Sequence, residues 1–172
     1  GVSSDSRPIR EGEFYIALRG AKFDGHDFLK EVFRKGAACA LVESAANGAH
    51  PAIIVPNTLN ALHQLATFYR KWFRIPAVAV TGSAGKTTAK ECIGLLLSQA
   101  FKVRVGFGNW NNHIGVPLNI FELTGEDQCL VLELGANHEG EIALLAKIAQ
   151  PTVGVITNVH PVHLEGFGSL ER

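Results

Sequence analysis

Short apolar runs alternate along this chain with segments whose apolar residues recur every three or four positions, and Gly, Pro and Asn mark the changes. Residues 13–18 (EFYIAL) read as a strand between Gly12 and Gly20. The stretch Phe23-Asp24-Gly25-His26-Asp27 reads as a turn, with Asp27 placed to cap a helix that gathers Phe28, Leu29, Val32 and Phe33 on one face. Lys35 and then Gly36 end that helix, a cation in its last turn followed by the residue that best tolerates a left-handed cap. Cys39–Val42 and residues 52–55 are short apolar strands, and residues 43–50 are small and polar enough to form a loop. Asn57 or Thr58 caps a second helix, with Leu59, Leu62, Ala66, Tyr69 and Phe73 at helical spacing and Pro76 closing it. The aromatics Phe68, Tyr69, Trp72 and Phe73 read as core or inter-domain contacts before a ligand platform, and His63 reads as structural.

From residue 77 the pattern lengthens into βαβ units, which places a domain boundary near Ile75 and gives domains of residues 1–75 and 76–172. Strand Ala77–Thr81 leads through a glycine-rich turn into a helix over residues 87–101, followed by strand Val103–Val105 and a Gly- and Asn-rich loop over 106–113. Pro117 suits the first turn of a short helix ending near Leu123. Residues 129–134 (CLVLEL) are nearly continuous apolar strand, as in a parallel sheet covered on both faces. A helix over 139–149 is broken by Pro151, and residues 153–157 (VGVIT) read as another buried strand. The fold class predicted is α/β: a small α/β unit, then the first part of a parallel-sheet domain. Right-handed crossovers would align the carboxyl ends of its strands on one edge, where ligands bind in such sheets.

The turn after Ala77–Thr81 carries the chemistry. Gly82-Ser83-Ala84-Gly85-Lys86-Thr87-Thr88 follows a β-branched run and opens a helix, the order a phosphate-binding loop needs. Glycines let backbone N–H groups turn on an anion, Lys86 would reach the outer phosphates, and the Thr87 hydroxyl is placed for a phosphate-bound Mg²⁺. The spacing is a variant, since Val80 stands where the common pattern has its first Gly. An ordinary strand-to-helix turn is the competing reading.

Two more strands would bring polar residues to the same edge. Glu133 interrupts its apolar strand, and a buried carboxylate needs a cationic partner, either a nucleotide-bound Mg²⁺ or a Lys or Arg. Asn158, His160 and His163 follow the last strand; His163 is a candidate second-metal ligand or phosphate contact, whereas spacing selects no role for His160. His138 precedes a helix. Asn109, Asn111 and Asn112 either orient a polar substrate or make a turn-rich loop.

Composition narrows the field a little. The formal net charge of the 172 residues is zero, so nothing in it points to nucleic acid or an anionic membrane, and no apolar run approaches membrane-spanning length. Cys39, Cys92 and Cys129 are odd in number and far apart, and read as buried thiols in a reducing cytoplasm. With no Met, a start at Gly1 and an end at Arg172 without a stop signal, the chain reads as a piece of a longer protein.

These segments together resemble the Mur ligases, ATP-dependent amide-bond-forming enzymes of bacterial cell-wall synthesis. Ser4-Asp5-Ser6-Arg7, Phe23-Asp24-Gly25-His26-Asp27-Phe28 and Lys35-Gly36-Ala37 are similar to the amino-terminal UDP-sugar domain. Residues 81–88 look like the family's TGSxGKTT loop, residues 108–117 like GNxNNxxGVP, and residues 133–138 and 157–169 complete the set. His-Leu-Glu-Gly-Phe-Gly-Ser at 163–169 favours the D-Ala-D-Ala-adding branch, while His160 departs from the small residue expected there.

The resemblance implies ATP and Mg²⁺ as cofactors and UDP-MurNAc-tripeptide and D-Ala-D-Ala as substrates, in the bacterial cytoplasm. It implies that Lys86 holds phosphates, Thr87 and Glu133 one Mg²⁺, and His163 a second. It further implies that Asp5, Ser6 and Arg7 lie along the uridine nucleotide. Asn111, Asn112, Thr157 and Asn158 would face phosphates or the peptide carboxylate. The family's modified lysine, adenine pocket and third domain lie beyond this stretch, so the chain alone is expected not to ligate although its full-length parent should. Another ligase of the superfamily, or a nucleotide-binding module without ligation chemistry, is the alternative.

Overall fold

All the strands of the computed structural model, which describes residues 1–44 and 51–160, lie in two four-stranded sheets. In the first, β1 (Val2–Ser3), β2 (Phe14–Ile16), β3 (Cys39–Val42) and β4 (Ala52–Ile54) follow one another in order, every pair parallel. Between β2 and β3 the chain passes through a 3-10 turn, Gly25–Phe28, into helix α1 (Leu29–Arg34). The cap of that turn is Asp24, whose carboxylate accepts the His26 amide at 2.9 Å, rather than Asp27. The tight turn shifts the helix start past Asp27, so the carboxylate that meets an unpaired amide is the one three residues earlier. Tyr15, Ala17, Leu29, Val32, Ala40 and Val42 form the core of this unit, whereas Ile53 and Ile54 of the edge strand stand exposed.

Helix α2 (Thr58–Arg70) is capped by Asn57, whose side chain accepts the Asn60 amide at 2.7 Å. It stops at Arg70, short of Pro76. The buried Arg70 guanidinium donates to the carbonyls of Phe73, Ile75 and Ala149, and so fixes the chain in turns after the helix. The contacts divide the chain into two compact units, Gly1–Leu65 and Ala66–Arg172. That division falls inside α2, ahead of Ile75, because Ala66, Tyr69 and Phe73 already belong to the second core. Of the four aromatics, Tyr69 and Phe73 pack there as expected, while Phe68 and Trp72 are exposed.

The second sheet has the order β6-β7-β5-β8, again wholly parallel, built from β5 (Ala77–Thr81), β6 (Val103–Val105), β7 (Cys129–Glu133) and β8 (Val153–Ile156). Helices α3 (Lys86–Leu97), α4 (Gly115–Phe121) and α5 (Glu141–Ala149) make the crossovers. Right-handed connections put α3 on one face and α4 and α5, which pack together, on the other. β7 is buried at every residue, as its apolar run predicts for a central strand. β8 is not the buried strand expected: it lies at the end of the strand order and α5 rests on β5, which leaves Ile156 68% exposed. Strand order reverses around β5, from β6 and β7 on one side to β8 on the other. The crevice of an open parallel sheet therefore opens at the carboxyl end of β5, where the glycine-rich turn begins.

Candidate functional site

Register decides what meets in that crevice. Val80 pairs with Glu133 across β5 and β7, and Thr81 with Ile156 across β5 and β8, so the three strands end nearly level. The glycine-rich turn leaves β5 there and becomes α3 at Lys86. Gly85, at φ 76°, caps the helix in the left-handed region. The first α3 backbone bond runs from Ala89 N to Gly85 O. The Lys86, Thr87 and Thr88 amides thus precede the intrahelical ladder, at the positive end of the helix.

The Thr87 hydroxyl donates to Glu133 Oε2 at 2.7 Å, and the Asn111 side-chain amide donates to Glu133 Oε1 at 2.7 Å. Glu133 itself is only 5% exposed. Among the described residues its partners are therefore neutral donors, not the lysine or arginine that was the alternative to a metal. Asn111 is pinned in turn, its carbonyl accepting the Gly135 amide at 2.8 Å. A Cβ on Gly135 would come within 2.8 Å of the Asn111 side chain, so only glycine admits this contact without a shift. The Lys86 ammonium donates to Gly82 O at 2.7 Å. A cleft of about 440 Å³ opens beside it, lined by Lys86, Asn111, Asn112, His113, Asn137 and His138 among others.

The turn is braced from β8. Ser83 N donates to Asn158 O at 3.0 Å, Ala84 N to Asn158 Oδ1 at 2.8 Å, and the Thr157 hydroxyl to Ala84 O at 2.7 Å. Ser83 Oγ exchanges hydrogen bonds with the His160 backbone, which gives that residue a role through its main chain. Gly82 sits at φ 135°, and a Cβ there would lie 2.2 Å from Thr157 Oγ1. Thr157 and Asn158, expected to face phosphates or the peptide carboxylate, bond to the loop here, and the Ser83 and Ala84 amides donate to Asn158. The Lys86, Thr87 and Thr88 amides at the helix start lie outside these contacts.

A threonine hydroxyl and a buried carboxylate oxygen in contact are hard oxygen donors of the kind Mg²⁺ takes together with phosphate oxygens and water. The residues fit. No cluster of three His, Cys, Asp or Glu with metal-ligand geometry occurs among the described residues, and His163 lies outside them.

Asp5, Ser6 and Arg7 follow β1, at the carboxyl edge of the first sheet. Asp5 and Arg7 form an exposed ion pair at 2.6 Å, and the Arg7 side chain holds the Asp5 carboxyl below the usual range. Ser6 is buried, with its carbonyl accepting from Lys35 Nζ at 2.8 Å. Beside them stands a network the sequence reading missed. His26 Nδ1 meets Asp24 at 2.5 Å, His26 Nε2 accepts the Glu43 amide at 2.9 Å, and Glu43 Oε1 accepts the Thr58 amide at 2.9 Å. The only sequence signal was the Asp-Gly-His segment, read as a turn and as part of the likeness to an amino-terminal UDP-sugar domain, with no role given to its side chains. The cysteines are free, but only Cys129 is buried; Cys92 on α3 is exposed.

A wholly parallel sheet with a glycine-rich turn and helix start at its strand-order reversal, facing a carboxylate on the neighbouring strand, is the arrangement of a P-loop nucleotide-binding domain. Residues 80–172 match the Mur ligase middle domain and residues 1–81 the Mur ligase family, catalytic domain. The chain belongs to the Mur ligase family. It is 38% identical over 174 residues to the UDP-N-acetylmuramoyl-tripeptide–D-alanyl-D-alanine ligase of Bacillus subtilis, across 99% of this chain and 38% of that protein. With the Escherichia coli enzyme of the same name it shares 41% over 169 residues, 98% of this chain and 37% of the other. MurF from Acinetobacter baumannii superposes with a TM-score of 0.93 at 40% identity, over 98% of this chain and 37% of that one. The MurF ligase from Thermotoga maritima in complex with ADP gives 0.90 at 39%, over 99% and 40%. The chain thus spans under two-fifths of the length of these curated relatives. No helix of the described residues is long and apolar enough to cross a membrane.

Proposed function

We propose that the chain is part of an ATP-dependent ligase that joins D-Ala-D-Ala to UDP-MurNAc-tripeptide in peptidoglycan precursor synthesis in the bacterial cytoplasm. The observation that carries this reading is the 2.7 Å contact between Thr87, one residue past Lys86, and the buried Glu133. Residues 76–172 would form the ATP-binding domain, and residues 1–75 the domain for the UDP-sugar peptide, with Asp5, Ser6 and Arg7 along its uridine nucleotide.

The reaction must bring a carboxylate against a triphosphate, and the demand is to neutralise both anions. The α3 amides and Lys86 would hold the phosphates at the positive end of the helix. Thr87 and Glu133 would hold Mg²⁺, which supplies charge neutralisation to phosphate oxygens when bound; His163 would serve a second ion. Asn111 orients Glu133, and Asn112 lines the cleft beside Lys86, where the carboxylate to be activated would lie. The γ-phosphoryl group passes to the terminal carboxylate oxygen of the tripeptide with release of ADP. The D-Ala-D-Ala amine then attacks that carbonyl carbon and phosphate leaves, forming the amide. Thr157 and Asn158 act on this site by bracing the loop.

Acceptor-dependent ADP formation by the full-length enzyme with UDP-MurNAc-tripeptide tests the proposal. Turnover is expected with D-Ala-D-Ala and not with single amino acids. Preference for an amino acid and a shorter peptide would assign another ligase of the family, and nucleotide binding with no ligation of any pair would leave only a binding module.

A further inference from the structure

Lys90 is the one lysine on α3's inward face, with Gly94 one turn further on, and it is 0% exposed. Burying an ammonium costs its hydration, a penalty offset only when all its protons find acceptors. Here they do: Nζ lies 2.8 Å from Gly106 O, 2.9 Å from Gly108 O and 3.0 Å from Glu91 Oε1. An ammonium has three N–H groups, so no proton remains for a substrate. A leucine would fill the same space without the penalty. What the ammonium adds is a grip on two carbonyls of one loop.

The same loop is gripped from α4. The buried Asn119 side chain accepts the Phe107 amide at 2.8 Å and donates to Trp110 O at 2.9 Å. The backbone from Gly106 to Trp110 is therefore tied down from two helices by buried polar groups, and the next residue is Asn111. Its amide orients Glu133, which faces Thr87. Thr87 lies one turn before Lys90 on α3, so the contacts close into a ring: α3, the loop, Asn111, Glu133 and back to α3.

We propose that Lys90 is a positioning residue for the Mg²⁺–nucleotide site: its buried ammonium fixes the loop of residues 106–110 and so sets Asn111 against the Glu133 carboxylate. This rests on the nucleotide reading given above, but not on the identity of the ligated substrates. Its effect passes through Asn111, which separates it from a general contribution to stability.

The test is a double-mutant cycle in the full-length enzyme, read by titration of ATP with and without Mg²⁺. Lys90→Met should weaken MgATP binding about 10-fold, the lower end of the effect of losing a partner that orients a metal ligand. Binding of metal-free ATP should hardly change. Asn111→Ala should act in the same sense, and the double variant should be no weaker than Asn111→Ala alone. Should Lys90→Met fail to fold, Lys90→Gln, which keeps two N–H donors, enters the same cycle. Independent, multiplying effects of the two substitutions would overturn the proposal, as would a folded Lys90 variant with wild-type MgATP affinity. A wild type that binds MgATP yet ligates nothing would fault the function proposed and leave this cycle intact; a wild type without MgATP affinity would overturn both.

Discussion

The carboxyl edges of the two sheets are made of similar materials and differ in what their carboxylates meet. At the first, carboxylates meet cations: Asp5 with Arg7 at 2.6 Å, Asp24 with Arg19 at 3.1 Å, and Glu43 with Arg19 at 3.3 Å. At the second, Glu133 is held by a hydroxyl and an amide, and the lysines nearest the turn and the Asn-rich loop bind backbone carbonyls, Lys90 also meeting its chain neighbour Glu91 at 3.0 Å. A carboxylate inside an ion pair has a cation of the protein against it, whereas one held by neutral donors has none and gains a fixed direction. Topology goes with this difference. The first sheet runs β1 to β4 in sequence, while the second reverses around β5 and so has a crevice for the carboxylate to face.

The sharpest way to break this contrast is to neutralise Glu133. Glu133→Gln keeps the shape and can still bond Thr87, so the fold should persist. Mg²⁺-dependent nucleotide binding should drop about 100-fold or more, beyond the effect of losing an orienting partner. Equal MgATP affinity in the variant, by calorimetric titration, would remove the metal assignment.

A smaller loss is expected from Gly82→Ala. The residue would be strained at φ 135° and its Cβ would overlap Thr157 Oγ1. The backbone conformation alone would cost about 1–3 kcal/mol, seen as a lower melting temperature. Nucleotide affinity should fall with or without Mg²⁺, because the brace between Asn158 and the loop is displaced. A loss confined to MgATP would place the defect at Glu133 instead.

The smallest effect belongs to the first edge and depends on pH. The Thr58 amide bond holds the Glu43 carboxyl below its ordinary range, and the His26 amide does the same for Asp24. Groups lowered in this way stabilise the fold above the ordinary carboxylate range, and that contribution is lost as pH falls through about 4 toward their folded values. Glu43→Gln should therefore leave a flatter acid limb in the melting temperature than wild type, with little change at pH 7 in Mg²⁺-dependent nucleotide binding. An unchanged acid limb would show that the first edge is not held together by its carboxylates.

Much of this was legible along the chain. The alternation of apolar runs and helical spacing fixed the βαβ order, and the glycine-rich turn before Lys86 and Thr87 marked the phosphate loop. Glu133 stood out because a charge interrupts CLVLEL. Each of these signals is local, a period or a break in a period. The neutral partners of Glu133 left no such signal, since Asn111 comes from a loop 22 residues away. Nor did the capture of the Ser83 and Ala84 amides by Asn158, or the exposure of β8. Nothing along the chain singled out Lys90, whose burial with Gly94 appears only in the fold.

The amino-acid order by itself determined most of the strands and helices and the glycine-rich turn between the strand at residue 77 and the helix after it, because propensity and periodicity act between near neighbours. Only the tertiary structure decided which amide faces which carboxylate, which loop amides turn to Asn158 and which lysine is sealed inside. Those outcomes depend on strand order, register and crossover hand, which bring together groups that are remote along the chain.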